Sequence, residues 1–134
     1  MNLPSTLLLL FNQINVDEDI ESQLIFSLGY CFFLLVLAIV FSLFLPKKPN
    51  AIYGYRTANS MKSQEAWDAA NSYWVSIFLK ITVINFLFPA IAYFFFDTYL
   101  TLITVIATTI TLLLTIPFTE IFLKKNFDKN GNRI

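Results

Sequence analysis

Apolar residues fill three long stretches of this chain, and polar residues crowd into the segments between them. The first stretch runs from about residue 22 to 45, the second from about 74 to 96, and the third from about 98 to 123. A helix that crosses a bilayer needs roughly 20 such residues. The pattern therefore predicts an all-α membrane protein with three transmembrane helices. Asp97, Thr98 and Tyr99 must make the turn between the second and third, so these two are expected to form a tight antiparallel hairpin. Residues 1–134 are expected to form a single three-span membrane domain. It would comprise an outer interfacial segment at 1–21, a structured loop-helix at 46–73 and a tail at 124–134. The polar stretch from Asn126 to Ile134 is expected to fray.

The beginning of the chain reads differently. Leu3 to Val16 is apolar but too short to span, and it lacks the basic start of a secretory signal. Leu7, Leu10, Phe11 and Ile14 share one helical face, with Asn12, Gln13 and Asn15 mostly opposite. Pro4 suits a helix start. This predicts an amphipathic helix lying in the outer interface, with a disordered apolar tail as the alternative.

Composition agrees with the membrane class. The 134 residues are 57% hydrophobic and include 15 Phe, and the mean hydropathy is +0.65. The net charge of zero gives no reason to expect a nucleic-acid partner. Charge placement is more informative. Asp17, Glu18, Asp19 and Glu21 precede the first span, with no Lys or Arg. Lys47, Lys48, Arg56 and Lys62 lie between the first and second spans, and Lys124, Lys125, Lys129 and Arg133 follow the third. The positive-inside rule then puts the N-terminus outside and the C-terminus in the cytoplasm. The acidic cluster serves as a topology marker, or else attracts a cationic peptide.

Candidate chemistry is sparse. The single cysteine, Cys31, allows no intrachain disulfide. Histidine is absent, which excludes a His-based dyad and leaves little room for a zinc site. Three glycines form no phosphate-binding motif. No nucleophile–base pair or carboxylate pair stands out. The chain is therefore expected not to be an enzyme, and no cofactor or metal is expected.

The polar segment from Pro49 to Trp67 holds most of what remains. Pro46 and Pro49 bracket two lysines and end the first span. Gly54, between Tyr53 and Tyr55, opens backbone conformations and close approaches denied to other residues. The two tyrosines suit the headgroup level, and Arg56 matches carboxylate or phosphate. Ser60 and Ser63 are candidate N-caps, with Glu65 placed for the first helical turn. A helix starting there and running unbroken into the second span carries Trp67, Asn71, Trp74, Phe78 and Asn85 on one face. Such a stripe could form the wall of a cleft. The plain alternative is interfacial anchoring.

Pro49-Asn50, Tyr53-Gly54-Tyr55-Arg56-Thr57, Ser60-Met61, Trp67 and Ala70-Asn71 together resemble the signature of the SdpI family of small bacterial membrane proteins. The resemblance implies a three-span unit with this loop between its first two spans, in the cytoplasmic membrane. It also implies a role like that of the family's best-known members, which give immunity to a secreted toxic peptide and take part in signalling. The chain is expected to carry one such unit, without the additional N-terminal membrane region of longer members. Ser63 stands where an Asn is common. On this reading the candidate ligand-binding residues are Asn50, Tyr53, Gly54, Tyr55, Arg56, Thr57, Ser60, Trp67 and Asn71.

Three polar groups lie inside the spans. Lys80 and Glu120 each face a cost of roughly 2.5 kcal/mol or more if left charged and unpaired at the bilayer centre. Helical side chains lean toward their own N-terminus. That lets Lys80 snorkel to the cytoplasmic surface but points Glu120 deeper. Glu120 is therefore expected to pair with Arg56 or Lys80, unless burial keeps it neutral. Asn85, with Pro89 and Pro117, adds hydrogen-bonding demand. Thr98, 101, 104, 108, 111, 115 and 119 recur at a mean spacing of about 3.5, which puts them on one seam. That seam packs helices or lines a ligand.

Two functional expectations follow. The first is a protein that binds an amphiphilic peptide toxin and so gives tolerance without covalent chemistry. The second is a membrane protein that binds a lipid headgroup or other anion through Arg56, Lys62 and the helix start after Ser63, or that recruits a soluble partner through the loop. Transport would require a homo-oligomer, since three spans make a poor path.

Overall fold

The computed structural model of the chain describes residues 4–96 and 98–134, and the side chains of all of these except 11–18. Asp97, at the expected turn, lies outside the described residues, as do the Phe11 to Asn15 side chains of the expected amphipathic face.

Three helices make up the described chain, namely α1 (Ser5–Leu43), α2 (Gln64–Ala92) and α3 (Leu100–Asn126). Each is long and apolar enough to cross a membrane, α1 through Asp19–Leu43 and the others along their full lengths. The expected boundary near residue 22 does not appear in the backbone. One 39-residue helix covers both the early apolar segment and the first span. No proline lies between Pro4 and Pro46, and the lone Gly29 costs only about 1 kcal/mol in a helix. At 1.5 Å per residue α1 is about 58 Å long, nearly twice a hydrocarbon core of about 30 Å. It therefore extends well beyond the bilayer. Its other end stops at Leu43, because Pro46 lacks an N–H and disfavours helix at Leu45.

α2 starts as the sequence indicates. Ser63 is extended, and its Oγ accepts from Ala66 N at 3.0 Å. The 29-residue helix then runs unbroken from the polar loop through the membrane. It ends at Ala92, before the expected residue 96, and a run of turns follows. Tyr99, with φ at +61°, leads into α3 from the left-handed region.

Burial is inverted relative to a water-soluble bundle. Ile25, Leu43, Phe94 and Phe95 are among the large apolar side chains left exposed, while Ser27, Asn71, Thr82, Asn85, Thr104, Thr108, Thr115 and Thr119 are buried. Lipid is as apolar as leucine, so helices associate through small and polar residues that pack closely and bond across. The threonine seam is such a surface. Thr115 Oγ1 accepts from Trp74 Nε1 at 3.1 Å, and Thr111 Oγ1 accepts from Asn85 Nδ2 at 2.9 Å. Near the other end, Ser27 Oγ donates to Thr101 Oγ1 at 3.4 Å. Thr104 and Thr108 are buried with hydroxyls that have no partner among the described residues.

Trp74 joins every element at the loop end of the bundle. Its ring lies 5.8 Å from Phe41 of α1, 6.1 Å from Tyr55 of the loop and 5.1 Å from Phe78 on its own helix. Its indole N–H reaches α3 through Thr115.

Candidate functional site

The loop between α1 and α2 folds into a plug whose polar groups are answered from within the chain. Asn50 builds its entry. Asn50 Oδ1 accepts from Ile52 N and Tyr53 N at 2.9 and 3.0 Å, and its amide donates to Lys48 O at 3.0 Å. Gly54 follows with φ at +109°, a conformation that favours glycine. A methyl group there would meet Asn71 Oδ1 at 2.6 Å and Pro46 Cγ at 2.7 Å. Glycine thus serves both the turn and the close approach of the loop to α2.

Asn71 closes that contact. Its Oδ1 accepts from Tyr55 N at 2.6 Å, and its Nδ2 donates to Trp67 O one turn earlier at 2.9 Å. Trp67 is fully buried, and its indole N–H donates to Pro46 O at 2.8 Å. That bond ties the end of the first span to the start of the second. The upper part of the stripe expected to wall a cleft is therefore covered by the loop, while Phe78 packs on Phe41 of α1 and Asn85 bonds Thr111 of α3.

A second turn carries the loop back. Ser60, also fully buried, accepts from Thr57 N at 2.9 Å, and its hydroxyl faces Tyr55 O at 2.9 Å. Ser60 caps this turn, and Ser63 caps the helix. Tyr55 then reaches across the bundle. Its hydroxyl lies 3.1 Å from Ile116 O and 3.0 Å from Glu120 Oε1, and its single proton serves one acceptor at a time. Burial, and next the Glu120 hydrogen bond and charge, push the Tyr55 phenol well above its ordinary range. It is a neutral donor at physiological pH.

The expected ion pair of Glu120 with Arg56 or Lys80 is not formed. Glu120 accepts from Tyr55 and, through Oε2, from Asn59 Nδ2 at 2.6 Å. Arg56 and Lys80 are both exposed. Long charged side chains lose much rotamer freedom when pinned, whereas Tyr55 is already fixed by its packing against Trp74. Sequence reasoning passed over Asn59. Its signal was the Thr57-Ala58-Asn59-Ser60 run, whose residues favour turns that aim side chains back into the chain.

The expectation of a frayed tail also fails. After α3, Phe127 and Arg133 form an antiparallel bridge, and Asp128 N donates to Asn132 O at 2.9 Å. Asp128 Oδ1 accepts from Asn130 N and Asn132 N, both at 2.8 Å. These bonds, the Asn132 backbone first among them, hold its carboxyl below the usual range. The hairpin docks on the helix start, where Ser63 Oγ donates to Gly131 O at 2.6 Å while it caps α2. The anion site expected at that helix start is thus overlaid by the tail.

A cavity of about 260 Å³ opens beside the plug, lined by Asn59, Lys62, Leu123, Lys124, Phe127, Asp128 and Lys129. Of the candidate residues, Tyr53 and Arg56 remain at the surface, together with Ile52 and Met61. Among the described residues no cluster of His, Cys, Asp or Glu could hold a metal.

Three spanning helices with a hydrogen-bonded loop plug at one end define a small multi-pass membrane protein. The model of the SdpI/YfhL protein family matches residues 47–119, which cover the loop, α2 and most of α3. The chain belongs to this family. It is also similar to a protein of Bacillus subtilis (strain 168) described as "Uncharacterized protein YfhL", with 41% identity over 46 residues. That match covers 34% of this chain and 42% of the relative. No solved structure matches the chain.

Proposed function

We propose that this protein gives a bacterium tolerance to a secreted membrane-active peptide by binding it at the membrane surface, without covalent chemistry. Membership of the SdpI/YfhL family, with the immunity role its signature implies, supports this reading. The observation that carries it is the division of labour in the loop. The buried residues Tyr55, Ser60, Trp67 and Asn71 bond to one another and to the helices, so they serve as a frame. The frame holds outward Ile52, which is 88% exposed, with Tyr53, Arg56 and Met61. An almost fully exposed isoleucine in a polar loop, two residues from an aromatic-flanked glycine and four from an arginine, suits an amphiphilic peptide with an acidic or carboxylate end.

The orientation assigned to this function has the N-terminus outside and the loop and tail at the cytoplasmic face of the cytoplasmic membrane. The basic residues of the loop and tail support it, as does the docking of these two segments on each other at one end of the bundle.

Expression in a sensitive bacterium tests both parts. The chain should raise tolerance to a secreted amphiphilic peptide. The pair Ile52→Ser and Arg56→Gln should remove most of that gain at an unchanged amount of protein in the membrane. A fluorescent protein fused to the C-terminus should glow, as it does when it folds in the cytoplasm. No gain in tolerance to any peptide of this class would refute the function, and a dark but intact fusion would reverse the orientation.

A further inference from the structure

The cavity beside the plug stands apart from the peptide-binding rim, and its chemistry is different. Its floor is apolar, made by Leu123 and Phe127, both buried. Its rim carries three lysines, Lys62, Lys124 and Lys129. Among the described residues only Lys62 of these three has a protein acceptor, Asn59 Oδ1 at 2.8 Å. Lys124 and Lys129 line the cavity and are exposed, with no acceptor among the described residues.

Two carboxylates stand near these lysines and are fixed by hydrogen bonds from neutral donors. Asp128 also lines the cavity, but its carboxylate accepts from Asn130 and Asn132 within the tail hairpin. Glu120 lies one turn before Lys124, attracts its charge at a distance, and accepts from Tyr55 and Asn59. The end of α3 would ordinarily present bare carbonyls that repel an anion. Here the tail answers two of the last four. Leu123 O accepts from Phe127 N and Asn126 O from Ile134 N, both at 2.9 Å. The lining thus sets three lysines against the one carboxylate of Asp128 and leaves a net positive charge over an apolar floor, at the end of a membrane span.

We infer that this cavity binds a phosphate-bearing anionic group, with the Lys62, Lys124 and Lys129 ammoniums around the phosphate and Leu123 and Phe127 beneath it. Lysine binds phosphate as a point charge from a flexible stem, which fits three separate lysines better than a single fixed fork. The volume is a little below the roughly 300–1,000 Å³ of sites for drug-sized ligands, and suits a headgroup or a small phosphate ester. Basic pockets at the cytoplasmic end of membrane helices take anionic lipid headgroups in this way. The site does not depend on the tolerance reading, and its test does not use tolerance.

The experiment places the purified full-length chain in nanodiscs of mixed phosphatidylglycerol and phosphatidylcholine and measures the lipid retained after extraction into detergent by native mass spectrometry. The wild-type chain should retain phosphatidylglycerol over phosphatidylcholine. The double variant Lys124→Gln, Lys129→Gln should lose retention by roughly 10- to 30-fold, from two phosphate-facing charges. The double variant Lys48→Gln, Lys125→Gln removes equal charge outside the cavity and should retain the lipid. If the first double variant does not fold, Lys129→Gln alone, at an exposed tail position, should still lower retention severalfold. Titration of glycerol 3-phosphate and inorganic phosphate in detergent then separates the sources. Thermal protection by either, lost in the cavity variant, identifies a free phosphate as sufficient. Protection by the lipid alone identifies the headgroup. Equal retention of the two lipids by the wild type, or loss of equal size in both double variants, would overturn the inference.

Discussion

Glu120 shows what a residue demands and what it cannot specify. Its place in an apolar stretch and the lean of its side chain were enough to require a partner. Coulomb attraction favoured Arg56 or Lys80, but both can reach water, and ordering them costs entropy. Tyr55 and Asn59 were already placed by packing and by a turn, so they answer Glu120 at less cost. Tyr55 read as a headgroup anchor because its residue type suits that level equally well, and only the three-dimensional path of the loop turns its hydroxyl inward. Gly54 was more legible, since a glycine between two tyrosines called for a special conformation or a close approach. The structure requires both. Gly54→Ala should therefore cost at least about 1–3 kcal/mol, through a left-handed conformation and the clash with Asn71 and Pro46. Thermal unfolding in detergent would show this as a clear fall in midpoint, and an unchanged midpoint would mean that the loop tolerates repacking.

Among the elements, the spans of α2 and α3 and the Ser63 start of α2 could be read directly, because hydropathy and capping chemistry are local properties. The unbroken course of α1 could not: the change from mixed to apolar composition marks where the span begins, near Asp19, but nothing in the backbone breaks the helix there. The order of the tail is hidden from local sequence for a related reason. Asp128, Asn130, Gly131 and Asn132 are turn residues as much as frayed-end residues, and the choice is made by docking on Ser63, which is distant in sequence. The threonine spacing identified the seam on α3 but not which hydroxyls bond. That distinction can be measured. Thr111→Val removes the acceptor of Asn85 and should cost roughly 0.6–1.7 kcal/mol, the range of interhelical hydrogen bonds in membranes. Thr104→Val and Thr108→Val remove unpartnered buried hydroxyls at nearly constant shape and should be neutral or stabilising. Chemical unfolding in mixed micelles compares them, and an equal loss at all three positions would contradict this division of the seam.

At the scale of the molecule, the two basic segments that the sequence placed on one side of the membrane meet there as one assembly. The loop plugs the space between α1 and α2, reaches α3 through Tyr55 and Asn59, and receives the tail at Ser63. The plug, not an open cleft, is the central feature of the fold, and both the exposed rim and the lysine-edged cavity depend on it. The most direct test is a double-mutant cycle between Tyr55→Phe and Glu120→Leu, read by reversible unfolding in detergent, with Arg56→Gln and Glu120→Leu as the companion cycle. Tyr55 and Glu120 should show a favourable coupling of about 0.5–3 kcal/mol, and Arg56 and Glu120 should be additive. Additivity of Tyr55 with Glu120, together with strong coupling of Arg56 to Glu120, would contradict this pairing.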